Sequence, residues 1–237
     1  MPGATTTQQL QRSVEGVWVV YKTRAVELND KLMIWKMPVF GFPESEIKRE
    51  VASARKHETL ILDLRDNGGG RTDDLRWLIG NFFDHDVTVG EMTERDKTEP
   101  LKATSFGKDA FTGKLIVLVN SESASAAEIF ARVVQLENRA IVIGDRTAGA
   151  VRIAKIIPLG QAARIPWGME MSIASLKMSD GGDLEGKGVT PNTLMLPTPA
   201  DLAEDRDPIL SAAAQLAGVQ ITPEEAAKMF PVVWPTY

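Results

Sequence analysis

The chain has 237 residues, 43% of them hydrophobic and 25% charged, which is the composition of a soluble globular protein with one good core, or one core and an appendage. A formal net charge of −5 gives no basic field for nucleic acid or anionic lipid, and no apolar run is long enough to predict stable membrane insertion. The absence of cysteine excludes disulfides and thiolate chemistry, and two histidines are too few for most metal sites, so we predict neither a metal nor a cofactor.

Strand and helix patterns alternate along the chain. In chain order they predict strands at 16–22 and 31–37, a helix at 44–57, a strand at 60–64, a helix at 72–83, a solvated loop at 91–109, a strand at 115–119, a helix at 125–137, strands at 140–143, 151–157 and 171–176, and helices at 200–217 and 223–230. The run at 60–64 is typical of a strand that is covered on both faces. The pattern therefore predicts an α/β domain with a short C-terminal helical tail.

Residues 115–130, LIVLVNSESASAAEIF, predict a buried strand, a turn of small residues and the start of a helix. Ser125 stands at the junction of turn and helix, where unpaired backbone N–H groups and the positive end of the helix dipole could stabilise the oxyanion of acyl transfer. The same residues fit a capping box, since Glu128 follows Ser125 by three positions. On this segment alone the capping box is favoured, because caps are far commoner than nucleophiles.

A glycine-rich turn follows the buried strand at 60–64. The segment Asp63-Leu-Arg-Asp-Asn-Gly-Gly-Gly70 allows unusual backbone dihedrals and a close approach of a ligand to the backbone. Its spacing fits neither the dinucleotide fingerprint nor the P-loop. By itself this segment is best interpreted as a tight turn.

Together these segments resemble the serine peptidases that include the C-terminal processing (tail-specific) proteases and the core of the tricorn protease. The similar motifs are LILDLRDNGGG, VLVNSESASAAEIFA, RAIVIGDRTAGA, LEGKGVTPN and DLAEDRDPIL, which occur in this order from about Val26 to Ala217. The resemblance implies the spiral of ββα units found in Clp protease and crotonase. It also implies that Ser125, rather than Ser121 or Ser123, is the nucleophile and also caps the helix.

The resemblance assigns an oxyanion hole to backbone amides of the two turns. In this family a glycine amide of the first turn and the amide after the nucleophile bind the oxyanion. These would be Gly69 or Gly70, together with Ala126. Two fixed amides aimed at one developing charge stabilise a transition state by about 3 kcal/mol or more.

The general base expected from the resemblance is missing. The processing-protease branch has a lysine in a Thr-x-Gly-Lys turn and a glutamine four residues later, where this chain has Ala150 and Ala154. Lys155 should face away from that side of its strand, and Arg152 cannot be a base because its guanidinium stays protonated. A Ser–Lys dyad is therefore not predicted.

The tricorn-like branch is the better match. That branch uses a histidine as base and a late glutamate, which Glu185 in LEGKGV matches. The histidine of that branch precedes an inserted PDZ domain, and neither segment is recognisable here; His57 and His85 lie outside the family motifs and are interpreted as surface or helix-end residues. We therefore expect the post-PDZ part of a longer enzyme, with the base outside this chain.

Three functions remain open at this point. The first is a serine endopeptidase domain that acylates through Ser125 and binds peptide or unfolded protein along a strand edge. The second is a non-catalytic relative or inert fragment that binds peptide or an apolar ligand in the same cleft. The third is an acyl-thioester enzyme of the crotonase class.

The same resemblance gives expectations for the whole protein. They are an N-terminal remnant or linker at 1–25, a catalytic core at 26–198 and a helical tail at 199–237. A homo-oligomer and a periplasmic or extracellular location are also expected, and no nucleic-acid partner.

Overall fold

The computed structural model describes residues 5–12, 18–162 and 165–230. The strands of this part of the chain are β1 (Thr5–Arg12), β2 (Trp18–Leu28), β3 (Leu32–Lys36), β4 (Thr59–Asp63), β5 (Val87–Thr93), β6 (Thr98–Ala103), β7 (Lys114–Val119), β8 (Ala140–Gly144), β9 (Ile153–Ala162), β10 (Ile165–Met178) and β11 (Thr193–Leu194). The helices are α1 (Glu44–Ala54), α2 (Thr72–Gly80), α3 (Ala126–Leu136), α4 (Pro199–Ala203), α5 (Pro208–Leu216) and α6 (Pro223–Met229). The predicted α/β class with a C-terminal helical tail is confirmed.

A seven-stranded sheet forms the centre of the fold, in the order β1-β2-β3-β4-β7-β8-β11. The first three strands are antiparallel, and β3, β4, β7, β8 and β11 run parallel. Asn29, with a positive φ of 56°, makes the turn between β2 and β3. All five residues of β4 are buried, as the apolar run at 60–64 predicted.

Both faces of the central sheet are covered. On one face, α1, α2 and α3 pack on alternate residues of the parallel strands, among them Leu62 and Val117. On the other face, α5 and α6 pack on the intervening residues, among them Ile61 and Ile116. The tail helices thus complete the second face of the sheet, while the domain limits 25/26 and 198/199 stay a prediction.

A second, four-stranded sheet corrects the loop predicted at 91–109. Its order is β6-β5-β10-β9, and the end of β5 and all of β6, which form an antiparallel pair, lie in the segment expected to be solvated. The charged residues misled the prediction, because β6 is an edge strand of which only Leu101 and Ala103 are buried. Charged residues are a common feature of edge strands, where they oppose pairing with other chains.

Two long strands, β9 and β10, form a hairpin that extends beyond the predicted strands at 151–157 and 171–176. The large apolar side chains near its end are exposed: Ile156, Leu159, Trp167, Met169 and Met171.

The single helix predicted at 200–217 is instead two helices, α4 and α5. Asp207 caps α5 and Pro208 occupies its first turn, an arrangement that starts a new helix.

Candidate active site

The candidate site lies where two neighbouring parallel strands end. β4 and β7 are paired with Asp63 opposite Leu118, so the turns that follow them leave the sheet at the same edge. The Ala124 N–H donates to the Asn67 carbonyl at 2.9 Å, which joins the two turns. The edge formed by the carboxyl ends of parallel strands is where open α/β sheets bind their ligands.

Ser125 has an unusual backbone conformation between β7 and α3. Its φ of 54° and ψ of −117° are rare for a residue with a side chain and cost energy unless neighbouring contacts hold them. The Ser125 N–H donates to the Ala150 carbonyl and to the Glu128 carboxylate, both at 3.0 Å. A sharp, strained turn from strand to helix of this kind presents the serine of a nucleophile elbow.

The Ser125 hydroxyl is not held by the helix cap. Ser125 and Glu128 are arranged as the predicted capping box, but only the Glu128 half is a full hydrogen bond, and the hydroxyl makes no cap hydrogen bond. Ser123 is buried and structural, since its hydroxyl donates to the Leu64 carbonyl at 2.8 Å and accepts from Asn120 N–H at 3.0 Å. Ser125 instead lines an open cleft.

Glu128 is fully buried and accepts four hydrogen bonds. Its Oε1 accepts from the Thr147 hydroxyl at 2.6 Å and from Gly149 N–H at 2.7 Å, while Oε2 accepts from Ser125 N–H at 3.0 Å and Ala150 N–H at 2.9 Å. Hydrogen bonding of this extent compensates for the burial of a carboxylate. Glu128 therefore fixes the backbone of Ser125 and the turn at 147–150 relative to each other.

The two glycines that were candidates for the oxyanion hole differ in their contacts. Gly69 N–H donates to Asn67 Oδ1 at 2.8 Å, so this amide is occupied. A Cβ at position 69 would lie 2.5 Å from the Ser125 Cβ, so only glycine lets the turns approach this closely. Within the described residues, the N–H groups of Gly70 and Ala126 have no acceptor, and both residues line the cleft with Ser125.

The cleft has a volume of about 590 Å³ and brings together residues from both turns and the second sheet. Its apolar lining residues include Leu75, Leu101, Ile129 and Val151. Glu185 also lines it and accepts from Val151 N–H at 2.9 Å and Arg152 N–H at 3.0 Å. Glu185 therefore supports the segment that leads into β9.

A buried ion cluster fixes the start of the glycine turn. Arg65 donates to both oxygens of Asp63, at 2.9 and 2.8 Å, and to both oxygens of Asp207, at 2.9 and 2.7 Å. Burial by itself would raise the pKa of Asp63, but the charges of Arg65 and Lys36 outweigh it and hold that pKa well below its usual range. Asp63 and Arg65 thus shape the turn.

No metal site or membrane span is found in the part of the chain that the structure describes. There, no group of three or more His, Asp or Glu side chains is arranged to hold a metal ion. None of the described helices is long and apolar enough to cross a bilayer.

Comparison with known proteins identifies the family. The model of peptidase family S41 matches residues 35–195, which contain both turns and the cleft. The chain belongs to peptidase family S41. The peptidase match favours the peptidase interpretation over the crotonase-class alternative.

Similar S41 relatives have protease names. A probable CtpA-like serine protease of Staphylococcus haemolyticus is 31% identical over 72% of this chain and 35% of its own length. The tail-specific protease of Haemophilus influenzae is 33% identical over 57% of this chain and 20% of its own length. The chain thus spans about a third or less of the length of these relatives.

Solved structures share the fold. A structure named for a peptidase from Parabacteroides merdae has a TM-score of 0.68 and 23% identity, over 82% of this chain and 64% of that one. The tricorn protease has a TM-score of 0.58 and 21% identity, over 79% of this chain and 18% of its own. These likenesses support the α/β peptidase fold predicted from the motifs.

The cleft is lined by four of the predicted site residues, Gly70, Ser125, Ala126 and Glu185. Gly69 packs behind Ser125. The residues that line this cleft include neither lysine nor histidine. His57 is buried beside the end of α1, with Nδ1 3.1 Å from the Ser53 carbonyl, and His85 is exposed. None of the described histidines and lysines is therefore placed in the cleft to take a proton from Ser125.

The sequence reasoning missed the wider role of Glu128. It read Glu128 only as half of a capping box, a local pattern of three residues. Three of its four donors lie 19 to 22 residues further along the chain. The sequence does contain one signal, because a glutamate among apolar residues at the start of a helix needs hydrogen-bond donors. Which residues supply these donors depends on tertiary structure.

Proposed function

We propose that this chain is the core of a serine endopeptidase that acylates through Ser125. The observation that carries the proposal is the convergence of the strained Ser125 with the unpaired amides of Gly70 and Ala126 in one cleft. These are the parts that acyl transfer needs, namely a nucleophile and donors aimed at the developing oxyanion. The family match supports peptides or proteins as substrates.

The proposed reaction has two steps. Ser125 Oγ attacks the peptide carbonyl carbon, its proton passes to a general base, and the carbonyl oxygen becomes an oxyanion bound by the two amides. The C–N bond then breaks, the amine leaves with the proton from the base, and an ester to Ser125 remains. Water hydrolyses this ester by the same route, which regenerates the serine hydroxyl.

The base belongs to a part of the protein outside this cleft. No lysine or histidine lines the cleft, and Ala150 stands where the processing proteases have their lysine. Glu185 is proposed to support a histidine supplied from elsewhere in the whole enzyme. Its hydrogen bonds with the N–H groups of Val151 and Arg152 indicate that the carboxylate positions this backbone segment.

The apolar part of the cleft lining is proposed to hold a small apolar side chain next to the scissile bond. Leu75, Leu101, Ile129 and Val151 line it and are otherwise buried. Burial of an apolar side chain against them stabilises the bound peptide by about 0.8 kcal/mol per methylene group. All four of these residues are apolar, so none of them can pair with a charged substrate side chain.

A fluorophosphonate probe tests this function. We expect slow labelling of the wild-type chain, loss of labelling in Ser125→Ala, and unchanged labelling in the control Ser121→Ala, because Ser121 is exposed and lies outside the cleft. Addition in trans of a segment that supplies the proposed base should accelerate the labelling. No labelling at any pH, even with that segment added, would contradict the proposal.

A second candidate function is a non-catalytic peptide-binding relative. The observation that favours it is Ala150 at the expected position of the base, in a cleft that has neither lysine nor histidine. It predicts that the chain binds peptides and is never labelled. The same probe experiment, combined with a peptide-binding measurement, separates the two functions.

Two properties of the whole protein are also proposed from the family. One is an exported location, which fractionation of the native host would test. The other is a homo-oligomer, which light scattering of the full-length protein would test.

A further inference from the structure

A second groove continues the cleft of Ser125. It has a volume of about 710 Å³ and lies between β9–β10 and the segment Val39–Gly41. The two share Gly70, Thr72, Ala154 and Glu170 in their linings. An extended peptide that passes Ser125 therefore continues directly into this groove.

One wall of the groove is formed by an edge strand. β9 pairs with β10 on one side and is the last strand of its sheet. Ala154 is paired with Ser172 and Ile156 with Glu170, and all four side chains line the cleft or the groove. An extended peptide can add to such an edge through its backbone, while alternate side chains of the wall select its side chains.

The charges of these walls are balanced except at one residue. The other charged side chains have an opposite charge within 4.0 Å: Arg152 with Glu185 at 4.0 Å, Arg71 with Asp74 at 3.8 Å, and Asp73 with Arg76 at 3.8 Å. The side chain of Glu170 has no hydrogen-bond or ion-pair partner among the residues that the structure describes. Its neighbour Ile156 is 77% exposed and offers an apolar surface beside the carboxylate.

We propose that Glu170 and Ile156 form a substrate subsite for a lysine or arginine side chain. The aliphatic stem of such a side chain packs on Ile156 and its cationic end pairs with Glu170, as amphipathic side chains bind at other surfaces. Ser172 lines the cleft of Ser125, and Glu170 lies two positions before it on β10, so the basic residue lies about two residues from the scissile bond. The subsite rests on the proposed function for its orientation, but it can be tested by binding alone.

The test uses the Ser125→Ala chain, which cannot turn over peptide. Fluorescence anisotropy would measure the binding of labelled alanine-rich peptides in which a single lysine, norleucine or glutamate is moved along the sequence. We expect one position at which lysine binds about threefold more tightly than norleucine, the usual size of an exposed ion pair, with the difference lost at high salt. Glu170→Gln should abolish this preference and Glu170→Lys should reverse it in favour of glutamate.

Glu91 provides the matched control. It is an exposed glutamate on β5 of the same sheet, outside both linings, so Glu91→Gln should keep the lysine preference. The subsite is overturned if no peptide binds, if no position prefers lysine, or if Glu91→Gln removes the preference as Glu170→Gln does. Fluorophosphonate labelling of the wild-type chain is measured in parallel, so failure of catalysis is distinguished from failure of the subsite.

Discussion

Ser125 combines a left-handed backbone with a hydroxyl that no cap hydrogen bond restrains. Such a conformation persists only where the surroundings compensate for it. Here the compensation comes from Ala150, whose carbonyl accepts from Ser125 N–H, and from the buried Glu128 carboxylate. At the scale of single residues, the proposed nucleophile therefore has a backbone that is fixed by neighbours outside its own turn.

Replacement of Glu128 by glutamine tests this arrangement. A glutamine amide group would face two N–H donors, such as those of Ser125 and Ala150, and would repel them. We expect fluorophosphonate labelling to slow on the order of 10²-fold, as for a catalytic group displaced by about 1 Å, with near-native circular dichroism.

The matched control for Glu128→Gln is Glu91→Gln, which makes the same change on an exposed strand. Glu128→Asp should recover part of the rate, because a carboxylate is retained. Equal labelling rates in wild type and Glu128→Gln would show that Glu128 is only a helix cap.

Ala150→Lys is expected to increase reactivity. Position 150 is exposed and its backbone contacts Ser125, so a lysine there can reach the hydroxyl without being buried. A well-placed general base accelerates reaction by about 10²-fold or more. Labelling of the variant should rise steeply from pH 6 to pH 9, because the deprotonated fraction of the lysine increases over this range.

Arginine at the same position separates base chemistry from charge. Ala150→Arg adds a positive charge that cannot accept a proton, so it should not increase labelling. If the arginine and lysine variants were accelerated equally, the idea that a base is missing would be wrong.

At the scale of elements, the glycine turn and α5 are joined through Arg65. The guanidinium bridges Asp63 at the end of β4 and Asp207 at the N-cap of α5, although Arg65 and Asp207 are 142 residues apart in sequence. The tail helices thus support the turn that carries Gly69 and Gly70. This contact links the packing of the second sheet face to the geometry of the Gly70 amide, which is one of the two proposed oxyanion donors.

Asp207→Asn isolates this bridge, because asparagine still caps a helix but loses the charge. We expect the free energy of unfolding to fall by about 2 kcal/mol, the usual contribution of hydrogen bonds to charged groups. The urea unfolding transition, monitored by tryptophan fluorescence, gives this free energy of unfolding. Asp207→Ala, which also removes the cap, should cost about 1 kcal/mol more, and equal stability of wild type and Asp207→Asn would contradict the role of the bridge.

The pH dependence of Asp63 follows from the same cluster. Its pKa is lower in the folded state than in the unfolded state, so its contribution to stability is complete above the unfolded pKa of about 4. That contribution is lost as the pH falls below this value toward the folded pKa. Unfolding measured from pH 6 to pH 2 should therefore show a decline in wild type that is weaker in Asp63→Asn.

Helix α2 contains a carboxylate with the opposite behaviour. Asp74 is buried without a hydrogen-bond partner, and burial raises the pKa of Asp74 more than the charge of Arg71 lowers it. A raised folded pKa means that stability is highest below the unfolded pKa of about 4 and falls as the pH rises through the folded pKa.

Asp74→Asn should therefore raise the free energy of unfolding at pH 7 by about 1 kcal/mol, the order of the penalty for a buried unpaired acceptor. The advantage over wild type should shrink as the pH falls to 4. An equal advantage at both pH values, or none at either, would show that the charge of Asp74 is not the cause.

At the scale of the whole molecule, the parts of the fold that could be predicted depend on local patterns. The apolar run of β4, the small-residue turn before α3 and the glycine turn are each encoded within a few neighbouring residues. The pairing of β5 with β6 was missed because β6 is largely exposed and contains Glu99 and Lys102, and because strand pairing is a tertiary property. Likewise, the occupied amide of Gly69 and the distant donors to Glu128 depend on contacts that no short pattern contains.

The structure of a fluorophosphonate adduct of this chain tests the central claim most directly. The account predicts a covalent bond to Ser125 Oγ, with the phosphoryl oxygen about 2.7–3.1 Å from the N–H nitrogens of both Gly70 and Ala126. An adduct on another residue, or one on Ser125 with its phosphoryl oxygen directed into solvent, would contradict it.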